Sequence, residues 1–159
     1  REPCLVGNFI ARGLTMLVSQ ILKTKADDSV TTVKPSMLIS EAAKLLSEKR
    51  IGTLVISSDG KRPDGILSER DIVRALGQQG GGCLTKTVEE LMTSKLITCA
   101  KNERADDILA KMTEGRFRHM PVLEDGTLIG LISLGDVVKA RLMELSMEKD
   151  ALQGMIMGH

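Results

Sequence analysis

One phrase is written twice in this chain. GILSERDIVRA occupies residues 65–75 and GLISLGDVVKA residues 130–140. In both, Gly is followed by two branched aliphatics, Ser, two variable residues, Asp, two β-branched residues, a basic residue and Ala. The copies lie 65 residues apart. Such a repeat restricts the fold more than any local propensity does. Each copy is one supersecondary unit, too small to bury its own apolar face, so the two must share a core.

The repetition extends beyond the phrase. VSQIL at 18–22 is answered by VEELM at 88–92. Ile39, Ala42, Ala43 and Leu46 stand at i, i+3, i+4 and i+7; Ala105, Ile108, Leu109 and Met112 repeat that spacing 66 residues on. Each set predicts a helix with one apolar stripe. A short apolar run follows each helix, LVIS at 54–57 and MPVL at 120–123, and then a turn, SSDGKRPDG or EDG. The phrase itself supplies a second strand and a second helix. With a short strand near Thr32 or Thr98 leading in, each unit reads β-α-β-β-α. The fold class expected is α+β (α/β), with two repeats packed through their sheets about a pseudo-twofold axis and two related clefts. GQQGGG at 77–82 predicts a flexible linker. The expected segments are a leader or appended extension over 1–15, a first repeat over 16–77, a linker over 78–87, a second repeat over 88–142 and a helical tail over 143–159.

Composition narrows the function. Phe9 and Phe117 are the only aromatic residues among 159, so a pocket for a flat base must have aliphatic walls. The net charge is +1 and no Lys/Arg block stands out, which argues against nucleic acid or anionic lipid as a partner. No apolar run approaches the roughly 18 residues of a membrane span. Cys4, Cys83 and Cys99 are scattered, without the spacing of a metal site or a disulfide framework. They suit a reducing compartment, the cytoplasm or an organellar matrix. His119 and His159 are the only histidines, too few for a metal cluster, and a His-based triad is hard to build from them. GQQGGGCLTKT lacks the Gly that a phosphate loop places before its Lys, here Lys86. No catalytic constellation is expected.

Two features carry chemistry. Ser68-x-x-Asp71 and Ser133-x-x-Asp136 each fit a capping box, with Ser closing a helix start and an acid at the third helical position. The same carboxylates could accept the vicinal hydroxyls of a ribose. Both readings can hold together. The second feature is the asymmetry between RIGTLVI in the first copy and FRHMPVL in the second. Arg116, Arg118 and His119 offer a fork and an imidazole suited to phosphate, or else form a solvated basic turn. Arg70 could reach the same zone or make a surface salt bridge.

The paired phrases, these two segments and the period of about 65 residues resemble a tandem pair of cystathionine-β-synthase-type (CBS) domains, a Bateman module. The resemblance spans about residues 17–140 and is nearest to small stand-alone CBS-pair proteins. It implies a non-catalytic sensor of energy or redox state that binds adenine nucleotide, AMP foremost and also NAD(H) or ATP, and acts on a partner protein. It places ribose on Asp71 and Asp136, with Ser68 and Ser133 alongside. Phosphate falls to Arg116, Arg118 and His119, with Phe117 among them. Thr32 and Thr98 come near base or phosphate, and Ile51, Gly52 and Thr53 flank the first cleft. Ser at 68 and 133 departs from the commoner Thr. The rival reading is an interaction module with empty clefts. Beyond the second copy, Val138, Leu142, Leu145, Leu152 and Ile156 keep a near-heptad stripe broken by Lys149, and Met143, Met147, Met155 and Met157 add adaptable apolar surface. That stripe predicts a homodimer.

Overall fold

The structure is a computed structural model and describes residues 15–25 and 29–156. The expected leader except Thr15, and with it Cys4 and Phe9, lies outside the described residues, as do Met157 and His159. In chain order the elements are α1 (Val18–Thr24), β1 (Thr32–Val33), α2 (Ile39–Lys49), β2 (Thr53–Ile56), β3 (Gly65–Ser68) and α3 (Glu69–Gln79). A 3-10 turn (Gly80–Thr85) follows, then α4 (Val88–Leu91), α5 (Ala105–Gly115), β4 (His119–Glu124), β5 (Thr127–Ser133) and α6 (Leu134–Ile156). Helices and two small sheets make this an α+β protein.

The chain forms two compact units. Among the described residues one comprises 29–98 and 120–131; the other comprises 15–25, 99–119 and 132–156. In the first, β1 runs parallel to β2 with Thr32 opposite Val55, and β2 runs antiparallel to β3 with Thr53 opposite Ser68. Ile39, Ala42 and Leu46 of α2 bury against Leu54, Ile56, Leu67 and Ile72, with Val88 of α4 completing the core. In the second unit Val18 and Ile21 of α1, Ala105, Ile108 and Met112 of α5, and Val137 and Ala140 of α6 are buried. Both apolar stripes read from the sequence thus face a core.

Helix starts explain the segment content of the units. The N-caps Leu17, Leu38 and Arg104 offer no side-chain acceptor to the first turn. Backbone supplies it instead. In the first unit Ile39 N–H donates to Lys86 O at 2.8 Å and Val88 N–H to Met37 O at 2.8 Å, around a bridge between Leu38 and Thr87. In the second, Ala105 N–H donates to Met16 O and Val18 N–H to Glu103 O, both at 2.9 Å, around a bridge between Leu17 and Arg104. The leading helix of each repeat therefore closes the stripe helix of the other. Orphan N–H groups that would otherwise need polar caps are satisfied in pairs.

Two expectations need correction. The Gly-rich stretch at 77–82 is no flexible linker: α3 runs to Gln79, the 3-10 turn follows, and Cys83 within it is fully buried. Its side chain and the partly buried Leu84 anchor a backbone that composition alone reads as loose. Thr98 lies outside every strand, and the second sheet has two strands, not three. The turn SSDGKRPDG is ordered by Asp59, whose Oδ1 accepts from Lys61 N–H at 2.8 Å and Arg62 N–H at 2.9 Å. Those two bonds hold its pKa down to about 2. Lys61 O in turn accepts Leu128 N–H at 2.7 Å, tying the β4–β5 hairpin into this unit.

Gly65, which opens the first phrase, is required by packing. A Cβ there would lie 2.3 Å from Met92 Sδ and 3.0 Å from Thr93 O, where Ile66 and Thr93 exchange backbone hydrogen bonds. The Met side chain can move, but the carbonyl is held by the bridge. Gly65→Ala should therefore destabilise the protein by about 1–3 kcal/mol in urea unfolding. An unchanged midpoint would show that the bridge yields freely.

Candidate functional site

The site grows from two strand-to-helix corners built on the same Ser–Asp capping box. Ser68 ends β3 and caps α3: its Oγ accepts Asp71 N–H at 3.3 Å, while Asp71 Oδ2 accepts Ser68 N–H at 2.9 Å and the Ser68 hydroxyl at 3.0 Å. Ser133 ends β5 and caps α6: its Oγ accepts Asp136 N–H at 3.1 Å, and Asp136 Oδ2 accepts Ser133 N–H at 2.9 Å. The capping-box geometry is thus present at both corners. Among the described residues, every hydrogen bond and ion pair to these carboxylates falls on Oδ2. Each Oδ1 takes no part in the capping box.

A second backbone bond locks each corner. Glu69 N–H donates to Gly52 O at 2.9 Å, and Leu134 N–H to Arg118 O at 2.7 Å. One turn earlier Arg50 and Arg116 cap α2 and α5 in the left-handed region, both with φ of 54°. Ile51 N–H reaches Leu46 O at 3.1 Å and Phe117 N–H reaches Met112 O at 3.2 Å. These bonds set the register between copies. Arg116 answers Arg50, Phe117 answers Ile51, Arg118 answers Gly52 and His119 answers Thr53. Pairing RIGTLVI with FRHMPVL is therefore out by one residue, and the charge asymmetry sits at Arg118 and His119.

The structure gathers the candidate residues into two groups, one per compact unit. In the first, buried Thr53 faces Ser68 across the β2–β3 ladder, with Gly52 and Asp71 at the same corner. Thr32 sits exposed on β1, Arg70 is exposed on the first turn of α3, and Thr98 is half-buried. Ile51 and Gly52 also line a groove of about 600 Å³ between α2 and α3, with Ala43, Leu46 and Ile72. In the second unit Arg118, Ser133 and Asp136 meet at the α6 corner. Arg116 is an exposed cap, while Phe117 and His119 are half-buried and lead into β4.

Sequence reasoning missed Lys25. Its Nζ lies 3.1 Å from Asp136 Oδ2, and both side chains are 23 % exposed. Burial pushes the Asp136 carboxyl up, but the Ser133 hydrogen bonds and the Lys25 ammonium outweigh it and hold the carboxyl below its ordinary range. A single Lys after a helix gave no signal of this. Asp71, the equivalent carboxylate, has no ion-pair partner among the described residues. The thiol of Cys99 is pushed up to about 12, by burial first and by Glu103 second, so it is no nucleophile at neutral pH. Among the described residues no His/Cys/Asp/Glu group could hold a metal, and no helix is long and apolar enough to cross a membrane.

A duplicated unit whose two corners carry the same Ser–Asp box is the architecture of a tandem-repeat module. The CBS domain family model matches residues 18–78 and 88–143, and the chain belongs to that family. It is 32% identical over 148 residues to the mitochondrial CBS domain-containing protein CBSX3 of Arabidopsis thaliana, covering 89% of this chain and 72% of that protein. The crystal structure of the CBS-domain protein ATU1752 from Agrobacterium tumefaciens shares 42% identity with a TM-score of 0.75, covering 80% of this chain and 94% of that one. The CBS domain pair of protein MJ0100, solved with 5'-methylthioadenosine and S-adenosyl-L-methionine, shares 30% identity with a TM-score of 0.69, covering 79% and 94%.

The lowered carboxyl of Asp136 gives a stability term with a definite sign. It is complete above the ordinary carboxylate pKa of about 3.9 and is lost as pH falls through the lower folded-state value. Asp136→Asn should reduce stability at neutral pH, and the gap from wild type should close as pH drops below about 4. Urea titrations at several pH values measure this. A gap independent of pH would mean that Ser133 and Lys25 do not favour the ionised form.

Proposed function

We propose that this CBS pair is a non-catalytic regulatory module whose Ser–x–x–Asp corners bind the ribose of an adenine nucleotide. AMP is the leading candidate, with NAD(H) or ATP as related ligands, and the module acts on a partner protein as a sensor of energy or redox state. The observation that carries the reading is the division of labour within each carboxylate. Oδ2 closes the helix start, which fixes the rotamer, and Oδ1 stays available to a diol. A pre-set acceptor loses little entropy on binding. At the second corner Arg118 and His119 replace Gly52 and Thr53, adding cationic and hydrogen-bonding groups suited to phosphate. Adenosine-type ligands on the similar MJ0100 pair support the same ligand class. A ligand of this kind signals only through different affinities for two states of the module.

Asp136→Ala should weaken AMP binding at least tenfold, a loss of about 1.4 kcal/mol, and Asp71→Ala should impair a separate site. Calorimetry on each variant measures both, after a thermal-shift panel of AMP, ADP, ATP, NAD, NADH, S-adenosylmethionine and 5'-methylthioadenosine has ranked the ligands. Unchanged affinity in both variants would leave the carboxylates as helix caps only.

We also propose a homodimer formed through α6. Val138, Leu142, Leu145, Leu152 and Ile156 follow alternating four- and three-residue steps, interrupted at Lys149, and Leu142, Leu145 and Ile156 are 61%, 54% and 84% exposed. A self-complementary seam of this kind suits a twofold pair. Sedimentation at micromolar concentration should show a dimer, converted to monomer by Leu142→Asp with Leu145→Asp. A wild-type monomer, with and without AMP, would refute the pairing.

A further inference from the structure

The two corners share one scaffold but differ in charge state. At the first, Asp71 has only its Ser68 partners among the described residues. At the second, Lys25 sets a cation 3.1 Å from the oxygen of Asp136 that also holds the capping box. Lys25 directly follows α1, and α1 is fixed: Val18 and Ile21 are buried, and Val18 N–H and Ser19 N–H donate to Glu103 O and Lys101 O, both at 2.9 Å. The ammonium is therefore delivered to the carboxylate at high effective concentration by an anchored helix. A ribose seeking the same carboxylate must compete with it for charge.

We infer that Lys25 is a built-in competitor for the ribose-binding carboxylate, so that the Asp136 site binds a given nucleoside more weakly than Asp136 alone would allow. The inference rests on the proposed role of Asp136 in ribose binding. Lys25 on Oδ2 neutralises part of the charge of the carboxylate whose Oδ1 the ribose would use, and among the described residues Asp71 has no such rival. For a nucleoside without phosphate the two sites then fill in sequence, Asp71 first. The competitor is an ion pair, while a neutral nucleoside brings no charge of its own. Salt should thus favour the nucleoside by screening Lys25.

The test uses the full chain with Asp71→Ala, which leaves the Asp136 site to be read alone, and adenosine and AMP as probes. Lys25→Met keeps the apolar stem and removes the charge. Adenosine should bind this variant about fivefold more tightly, the worth of a partly exposed ion pair. In the Lys25-containing chain, adenosine affinity should rise between about 20 mM and about 500 mM NaCl, and in Lys25→Met it should stay flat. Lys25→Arg should preserve the salt response. AMP should tighten in Lys25→Met as well. Unchanged or weaker adenosine binding in Lys25→Met, together with a loss of binding in Asp136→Ala, would overturn the competitor role and leave Asp136 as the ribose acceptor. If Asp136→Ala in the same background bound both probes normally, the ribose assignment itself would fail and the competitor role with it. Should Lys25→Met not fold, the salt response of the Lys25-containing chain decides, and adenosine affinity that is flat or falls with salt counts against the competitor.

Discussion

Pairs of helix starts that satisfy each other hold this protein in register. Leu38 and Thr87 bridge in one unit and Leu17 and Arg104 in the other, and around each bridge the first N–H of each helix finds the carbonyl just before its neighbour's cap. Side-chain capping would let each helix begin independently. Backbone capping makes two segments from different repeats mutually necessary. It also buries Val18 and Val88 beside the stripe helices they close. The stripe helix, once started, presents its apolar face to the sheet, and the sheet ends at the Ser–Asp corner.

In the proposed function the corners are where structure and ligand chemistry share the same atoms. One carboxylate oxygen completes a helix start and the other remains an acceptor. The carbonyls of Gly52 and Arg118 are already committed to the following helix, so the corner is braced from two directions. Such bracing reduces the freedom lost when a ligand arrives, because the acceptor's rotamer is fixed beforehand. The cost is that a substitution at Asp71 or Asp136 acts on folding and binding together. Stability and affinity must therefore be measured side by side.

Duplication preserved the scaffold while side chains diverged on it. Arg50 and Arg116 adopt the same left-handed cap, which favours Gly and which neither copy fills with Gly. Gly115 stands one position too early to occupy it. Beyond the cap the copies part: Gly52 and Thr53 in one, Arg118 and His119 in the other, with Lys25 added at the second corner alone. Two corners of one scaffold thus carry different charge.

The doubled phrase and the two stripes determined much by themselves. The repeat, the helices at 39–49 and 105–115, the strand pairs and the capping boxes are local patterns, and local sterics and periodicity suffice to write them. The long final helix was also legible, from apolar spacing that continues past the second copy. Three things were not. The ordered Gly-rich turn goes with the burial of Cys83, which Gly-rich composition does not signal. The register between Arg118 and Gly52 is set by backbone bonds to helices that start later in the chain. The Lys25–Asp136 pair joins residues more than a hundred positions apart, and no periodicity marks it. Local propensity records what a segment prefers. Which carbonyl closes a helix, and which ammonium meets a carboxylate, is decided only when distant segments pack, because those bonds exist in the folded chain alone.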